Sequence, residues 1–250
     1  MSSITVDRVS DGAVARVVFS GEKGNVLGKA LLEKLDATLA DLAGDRRLKL
    51  VVIEGAGKHF SVGASIEAHQ REQVAAMLAS FHALIRRLVT FPVATAAVVR
   101  GKCLGGAFEL ALACNFVFAS REASFACPEI ALGVFPPVLA ALGPSRLGAT
   151  WAERLTLTGE EVDAETAHGI GIVTELGDVL AWYDEKLAKK SAFSLRQALA
   201  AVRIGAGIAR VVESLAEIEK RYLEQIVPSH DGNEGLAAFM AKREPQWRDA

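Results

Sequence analysis

The sequence predicts an α/β domain, on the strength of three observations. Short apolar runs bounded by glycine or proline alternate with stretches of helical periodicity through about the first 150 residues. After about Ala152 the chain turns mostly helical. At 250 residues and 51% apolar composition it can bury one large core without a disulfide or metal staple. Residues 4–9 and 13–19 alternate as two strands around the turn Asp11-Gly12, and 29–42 has helical periodicity. Residues 48–54 form a compact apolar strand. The stretch 67–88 is a long amphipathic helix with Val74, Met77, Leu78, Phe81, Leu84, Ile85 and Leu88 on one face. Residues 93–100, between Pro92 and Gly101, are a buried strand, and 104–113 is apolar at helical length. Further helices are expected at 178–190, 194–202, 208–226 and 233–242. The expected organisation is a core over 1–193 and a helical cover or assembly region over 194–250.

Composition narrows the function. A net charge of -2 with scattered basic residues leaves no footprint for a nucleic-acid backbone, so small-molecule chemistry is expected. Cys103, Cys114 and Cys127 sit in apolar runs without C-x-x-C pairing, which reads as reduced thiols. Residues 1–9 lack a cationic region followed by an apolar one, and no run of 18 residues is free of polar breaks; a membrane span is not expected and the cytoplasm is the expected compartment. Gly55-Ala56-Gly57 follows a strand, but Phe60 stands where a dinucleotide fingerprint needs its third glycine. Phosphate-loop, nucleophile-elbow and H-E-x-x-H patterns are missing, so neither a redox cofactor nor a metal is expected. The five histidines read as surface or capping residues, His69 being the one to watch.

Two signals remain. Phe60 to Ser65 and Gly101 to Gly106 are glycine-containing turns that each follow a strand, and glycine lets backbone N–H groups approach a ligand closely. Aimed at one oxygen they would form an oxyanion hole, with the dipole of the following helix adding positive potential. Spacing alone allows tight packing equally well. The second signal is a pair of carboxylates. Glu109 lies inside a greasy helix, where an ionised group needs a partner or a proton. Glu129 follows Pro128, which stiffens its approach; by itself it reads as a first-turn helix glutamate, but with Glu109 it makes a pair whose pKa values can split into acid and base.

Together these segments resemble the crotonase family, the enoyl-CoA hydratase/isomerase superfamily, over nearly the whole chain. Phe60-Ser61-Val62-Gly63-Ala64 is similar to its first oxyanion segment, and Gly105-Gly106-Ala107-Phe108-Glu109-Leu110-Ala111 to its G-G-G-x-E-L-A. Leu157-Thr158-Gly159, Ala164, Ala167 and 169–173 resemble later family segments, and 231–247 its C-terminal helix. The resemblance implies a spiral core of ββα units with a C-terminal helical region. It implies the N–H groups of Ala64 and Gly106 as oxyanion donors, Glu109 and Glu129 as catalytic residues, and an acyl-CoA thioester as substrate, with CoA arriving as part of that substrate. CoA and the acyl group are expected along Asn25, Val26, Leu27, Gly63, Ser65, Ile66, Gly105 and Phe135, with Phe239 and Lys242 near the nucleotide. Trimers or hexamers are implied as the assembly. Ser65 replaces the usual Asp, Ala107 the third glycine and Asn115 an Asp, and none of these removes a donor or a glutamate. Where many hydratases read I-P-G-A-G-G, this chain has Phe135-Pro136-Pro137-Val138-Leu139-Ala140, a bulkier and stiffer acyl wall. With Gly63 to His69 and Leu132-Gly133-Val134-Phe135, this is most similar to the cyclohexa-1,5-diene-1-carbonyl-CoA hydratases of anaerobic benzoyl-CoA degradation. An alicyclic dienoyl-CoA is therefore the leading substrate. Hydration or isomerisation of a linear enoyl-CoA, and a non-catalytic binding role, are the alternatives.

Overall fold

The computed structural model describes residues 2–250. It opens with β1 (Ser3–Val9) and β2 (Val14–Ser20), joined through left-handed Ser10, Asp11 and Gly12, then α1 (Lys29–Ala43) and β3 (Leu50–Gly55). A 3-10 turn, Glu67–His69, precedes α2 (Val74–Thr90), β4 (Ala94–Val99), β5 (Lys102–Leu104), α3 (Gly106–Ala113), β6 (Phe116–Ala119) and β7 (Ser124–Ala126). A second 3-10 turn, Pro128–Leu132, leads to α4 (Pro137–Leu147), α5 (Ala149–Thr158), β8 (Val162–Asp163), α6 (Ala164–Gly169) and α7 (Val179–Lys186). The chain closes with α8 (Ala192–Gly205), α9 (Ile208–Arg221), a π turn over Tyr222–Ile226, and α10 (His230–Ala241).

One sheet runs in the order β1-β2-β3-β4-β6, antiparallel at its first pair and parallel beyond, and a second runs β5-β7-β8. Strand β3 is buried along its whole length, as a central parallel strand must be. Its one charge, Glu54, is met by Arg16 at 2.9 Å and Arg100 at 3.4 Å. Helices α1, α2 and α3 send Leu35, Leu39, Leu84, Leu88, Phe108 and Leu110 into one core with the sheet residues Val17, Ile53 and Ala97.

Four expectations change. The helix expected over 67–88 begins at Val74. Ser65 Oγ accepts the Ala68 N–H at 3.2 Å and His69 Nδ1 lies 2.9 Å from Ser65 O, closing a tight turn, after which Gln70 is extended at ψ 149°. The junction at 101–106 holds a strand of its own, β5, before the chain bends at Gly105 (φ +55°). The helix expected over 208–226 is α-helical only to Arg221 and widens into the π turn. Finally, the expected boundary at 193/194 falls inside α8, and Leu215 of α9 belongs to the main core, so the C-terminal helices build the core as well as covering it.

Candidate active site

Two backbone turns lock together beneath the site. Ser61 bridges Cys103 in parallel fashion, and Ser61 Oγ accepts the Gly63 N–H at 3.0 Å. Gly63 has φ +92°, and a Cβ there would lie 2.7 Å from the Leu104 carbonyl oxygen, so the position needs glycine for both conformation and space. Gly105 is the second such position: a Cβ would meet Glu129 Oε1 at 2.6 Å. Gly105 also anchors to β7 through its N–H to Ala126 O at 2.7 Å, and it caps α3 with no side chain over the first-turn N–H groups. The N–H groups of Ala64 and Gly106 have no acceptor among the described residues, and both residues line one small chamber.

Glu109 and Glu129 line the same chamber. Glu109, in the first turn of α3, accepts at Oε1 from the N–H groups of Val138 at 2.7 Å and Leu139 at 2.8 Å, the open start of α4. Pro137 opens that helix, with φ pre-set by its ring, so the stiff Pro136-Pro137 segment also aims the donors that hold Glu109. Burial pushes the Glu109 carboxyl up to about 7, with the two donors opposing that rise. Glu129 rises to about 8, from burial first and the charge of Glu109 second. Its Oε2 is buried without a hydrogen-bond partner among the described residues. Both carboxyls are therefore shifted toward the protonated form, with a negative charge better stabilised on Glu109 by its two backbone donors.

Leu27, Leu32, Met77, Leu78, Phe81, Phe135 and Pro137 make the rest of the chamber apolar, apart from His69 and Tyr222. It leaves about 30 Å³ for water centres, room for one or two waters. It opens through Ala64, Gly106 and Glu129 into a groove of about 570 Å³ lined by Val26, Gly63, Ser65, Ile66, Gly105 and Phe239. A long chain can thus lie in the groove with its reacting end inside. The His69 Nδ1–H donates to Ser65 O, and burial lowers the imidazole pKa, leaving the ring neutral with Nε2 as an acceptor. Burial pushes the thiols of Cys103 and Cys127 well up and that of Cys114 to about 12, so all three stay protonated.

Two expected contacts fall elsewhere. Asn25 does not line the groove. Its buried amide donates to Ala56 O, His59 O and Phe60 O at 2.7, 2.9 and 3.2 Å and accepts the Gly21 N–H at 3.2 Å, clamping the loop that carries Val26 and Leu27. Lys242 caps α10 in a left-handed conformation (φ +53°) and points to solvent, while Arg243 and Pro245 line the groove instead. Among the described residues no group of three or more His, Cys, Asp or Glu side chains could share a metal ion. No helix among them is long and apolar enough to cross a membrane.

A model of the enoyl-CoA hydratase/isomerase family matches residues 10–250. The chain belongs to that family. It is 38% identical to a cyclohexa-1,5-dienecarbonyl-CoA hydratase of Thauera aromatica, over 96% of this chain and 94% of the relative. It is 32% identical to the 2,3-dehydroadipyl-CoA hydratase of Escherichia coli, over 90% of each chain. Among solved structures, an enoyl-CoA hydratase from Mycobacterium avium superposes with a TM-score of 0.84 at 27% identity, covering 98% of both chains. The crotonase-type core with its C-terminal helical region is thereby the fold, and the chain is an enzyme of enoyl-CoA hydratase type acting on acyl-CoA thioesters. Membership explains the two turns, the glutamate pair and the groove together.

Sequence reasoning missed Tyr222, a chamber residue drawn from the π turn. The only cue lay in its rarity, since the chain has just two tyrosines. It also missed the backbone of Val138 and Leu139 as the anchor of Glu109.

Proposed function

We propose that this enzyme adds water to a cyclic dienoyl-CoA, cyclohexa-1,5-diene-1-carbonyl-CoA, giving 6-hydroxycyclohex-1-ene-1-carbonyl-CoA. The thioester carbonyl accepts from the N–H groups of Ala64 and Gly106. Glu109, held by Val138 and Leu139, takes a proton from water as the oxygen bonds to the β carbon, and the electron pair moves onto the thioester oxygen. Glu129 then returns a proton to the far end of the dienolate, so one water is added in all. No redox cofactor or metal takes part. The pantetheine arm lies along Val26, Gly63, Ser65 and Ile66, with Phe239 beside the outer groove. Loss of one oxyanion donor typically costs about 100- to 1000-fold in rate.

The observation that carries this reading is the convergence of two open backbone donors and two buried carboxyls on one water-sized chamber at the end of the groove. The cyclic substrate is supported by the 38% identical relative and by the Phe135 to Pro137 wall. A second reading, hydration of a linear enoyl-CoA, is favoured by the 2,3-dehydroadipyl-CoA relative. Turnover of the cyclic dienoyl-CoA and of crotonyl-CoA, followed side by side by mass spectrometry, separates them. A gain of one water on the ring with slow crotonyl-CoA turnover is expected, and the reverse preference refutes the ring reading. Glu109→Gln is expected to abolish both turnovers while CoA thioesters still bind.

A further inference from the structure

Tyr222 carries the one hydroxyl among the residues that line the chamber, and the glutamates and the oxyanion turns leave it unused. Tyr222 as a residue is 2% exposed, and its side chain lines the chamber without a hydrogen-bond partner among the described residues. The ring is fixed edge-on against Phe135, centroids 5.2 Å apart at 66°, and its backbone begins the π turn that interrupts the helical run from Ile208. Such single π turns are commonly found where a side chain is re-aimed at a functional site. Glu129 Oε2 is a buried polar atom of the same chamber without a partner. A donor and an acceptor left open in a space that holds one or two waters are both satisfied by one bridging water.

We propose, building on the hydratase reading above, that Tyr222 donates a hydrogen bond to the oxygen of the water that adds to the substrate, as a third polar contact beside Glu109 and Glu129. The water gives one proton to Glu109 while its oxygen forms the new C–O bond, and the Tyr222 O–H stays intact throughout. The oxygen carries partial hydroxide charge at that moment, in addition and in elimination alike, so the donor acts on the transition state more than on the bound substrate. Burial and the two carboxylates push the phenol far up, so it remains a donor over the working pH range. The titratable groups facing Tyr222 are Glu109 and Glu129 in the chamber and His69 and Arg71 in the adjoining hollow.

The test is Tyr222→Phe assayed beside the wild type and Glu109→Gln on the same enoyl-CoA. We expect kcat to fall about 10- to 100-fold, the worth of one hydrogen bond to a charged group, with KM changed less than about threefold. The thermal midpoint is expected to hold or rise, and the pH-rate limb of the glutamate pair to move to higher pH, because the ionised pair loses a donor through the water. An unchanged kcat, or losses in KM and melting that track the loss in rate, overturn the assignment. Should the variant fail to fold, 3,5-difluorotyrosine at 222, with its more acidic phenol, is expected to add an alkaline limb to the profile, and an unaltered profile overturns the proposal. A wild type inert toward every enoyl-CoA, or a fully active Glu109→Gln, marks failure of the hydratase reading itself rather than of Tyr222 alone.

Discussion

Glu109→Gln should stabilise the protein while disabling it. The carboxyl of Glu109 is raised from 4.5 to about 7, chiefly by burial. Below pH 4.5 it is protonated folded and unfolded, and makes no difference to stability. Between 4.5 and about 7 the unfolded chain releases a proton that the folded chain retains, so stability falls as pH rises, and above about 7 the loss is complete. That interval corresponds to a loss on the order of 3 kcal/mol. Glutamine has no charge to desolvate, and its Oε1 can still accept from Val138 and Leu139. The pull of the α4 N-terminus on the carboxylate is already contained in the value of about 7, so what offsets the gain is the new amide N–H group in an apolar chamber, roughly 1–2 kcal/mol. The net gain above pH 8 is thus about 1–2 kcal/mol, or about 2–8 °C for a chain of this length. Melting both proteins at one concentration from pH 5 to 9 holds any assembly contribution fixed. A variant that melts below the wild type at pH 8.5, or a difference that does not shrink toward acid pH, would refute the reasoning.

Two other substitutions probe the scaffold. Gly63→Ala forces a Cβ to within 2.7 Å of the Leu104 oxygen at φ +92°, so the turn bearing the Ala64 N–H must shift. A stability loss of about 1–3 kcal/mol and a fall in kcat of about 100-fold or more are expected, measured by melting and steady-state kinetics. Asn25→Ala leaves three carbonyls and the Gly21 N–H without their partner. The expected cost is about 2–4 kcal/mol, with KM for the CoA thioester rising more than kcat falls because the loop lies on the groove and not on the reacting atoms.

The residues that the fold brings together at the candidate site were the legible part of this sequence, because each carries a local mark. Gly63 and Gly105 sit at positive φ, a local demand for glycine, although the clashes a Cβ would make there come from Leu104 and Glu129 across the fold, and Glu109 stands out as a charge in an apolar helix. What stayed hidden depends on contacts across the fold. Strand β5 is three residues long, too short for an alternating pattern to declare itself, and exists because β7 pairs with it. The break between Ser65 and Val74 comes from a hydroxyl and an imidazole bonding their own backbone, which competes with a helix that hydrophobic periodicity alone favours. Asn25 was expected along the path of CoA, but it does not line the groove. Its left-handed backbone (φ +59°) turns the amide inward, where it serves Ala56, His59 and Phe60. Likewise the left-handed cap at Lys242 rotates the chain, so that Arg243 faces the groove in its place.

The segment from Phe135 to Leu139 binds substrate shape and proton chemistry into one piece of chain. Phe135 and Pro137 line the chamber, while the next two N–H groups hold the carboxyl of Glu109, the proposed base. Reshaping the wall to admit another acyl group thus moves the donors that hold Glu109, and any movement that weakens those bonds raises its pKa further. A rigid Pro-Pro start to α4 makes such movement costly, since the ring-locked φ of Pro137 leaves the helix N-terminus few alternative directions. Phe135 also presses on Tyr222 from the opposite side, so the same wall sets the angle of the one hydroxyl in the chamber. Selectivity for the acyl group and readiness of the base are consequently coupled, and this stretch is where a variant would change both together.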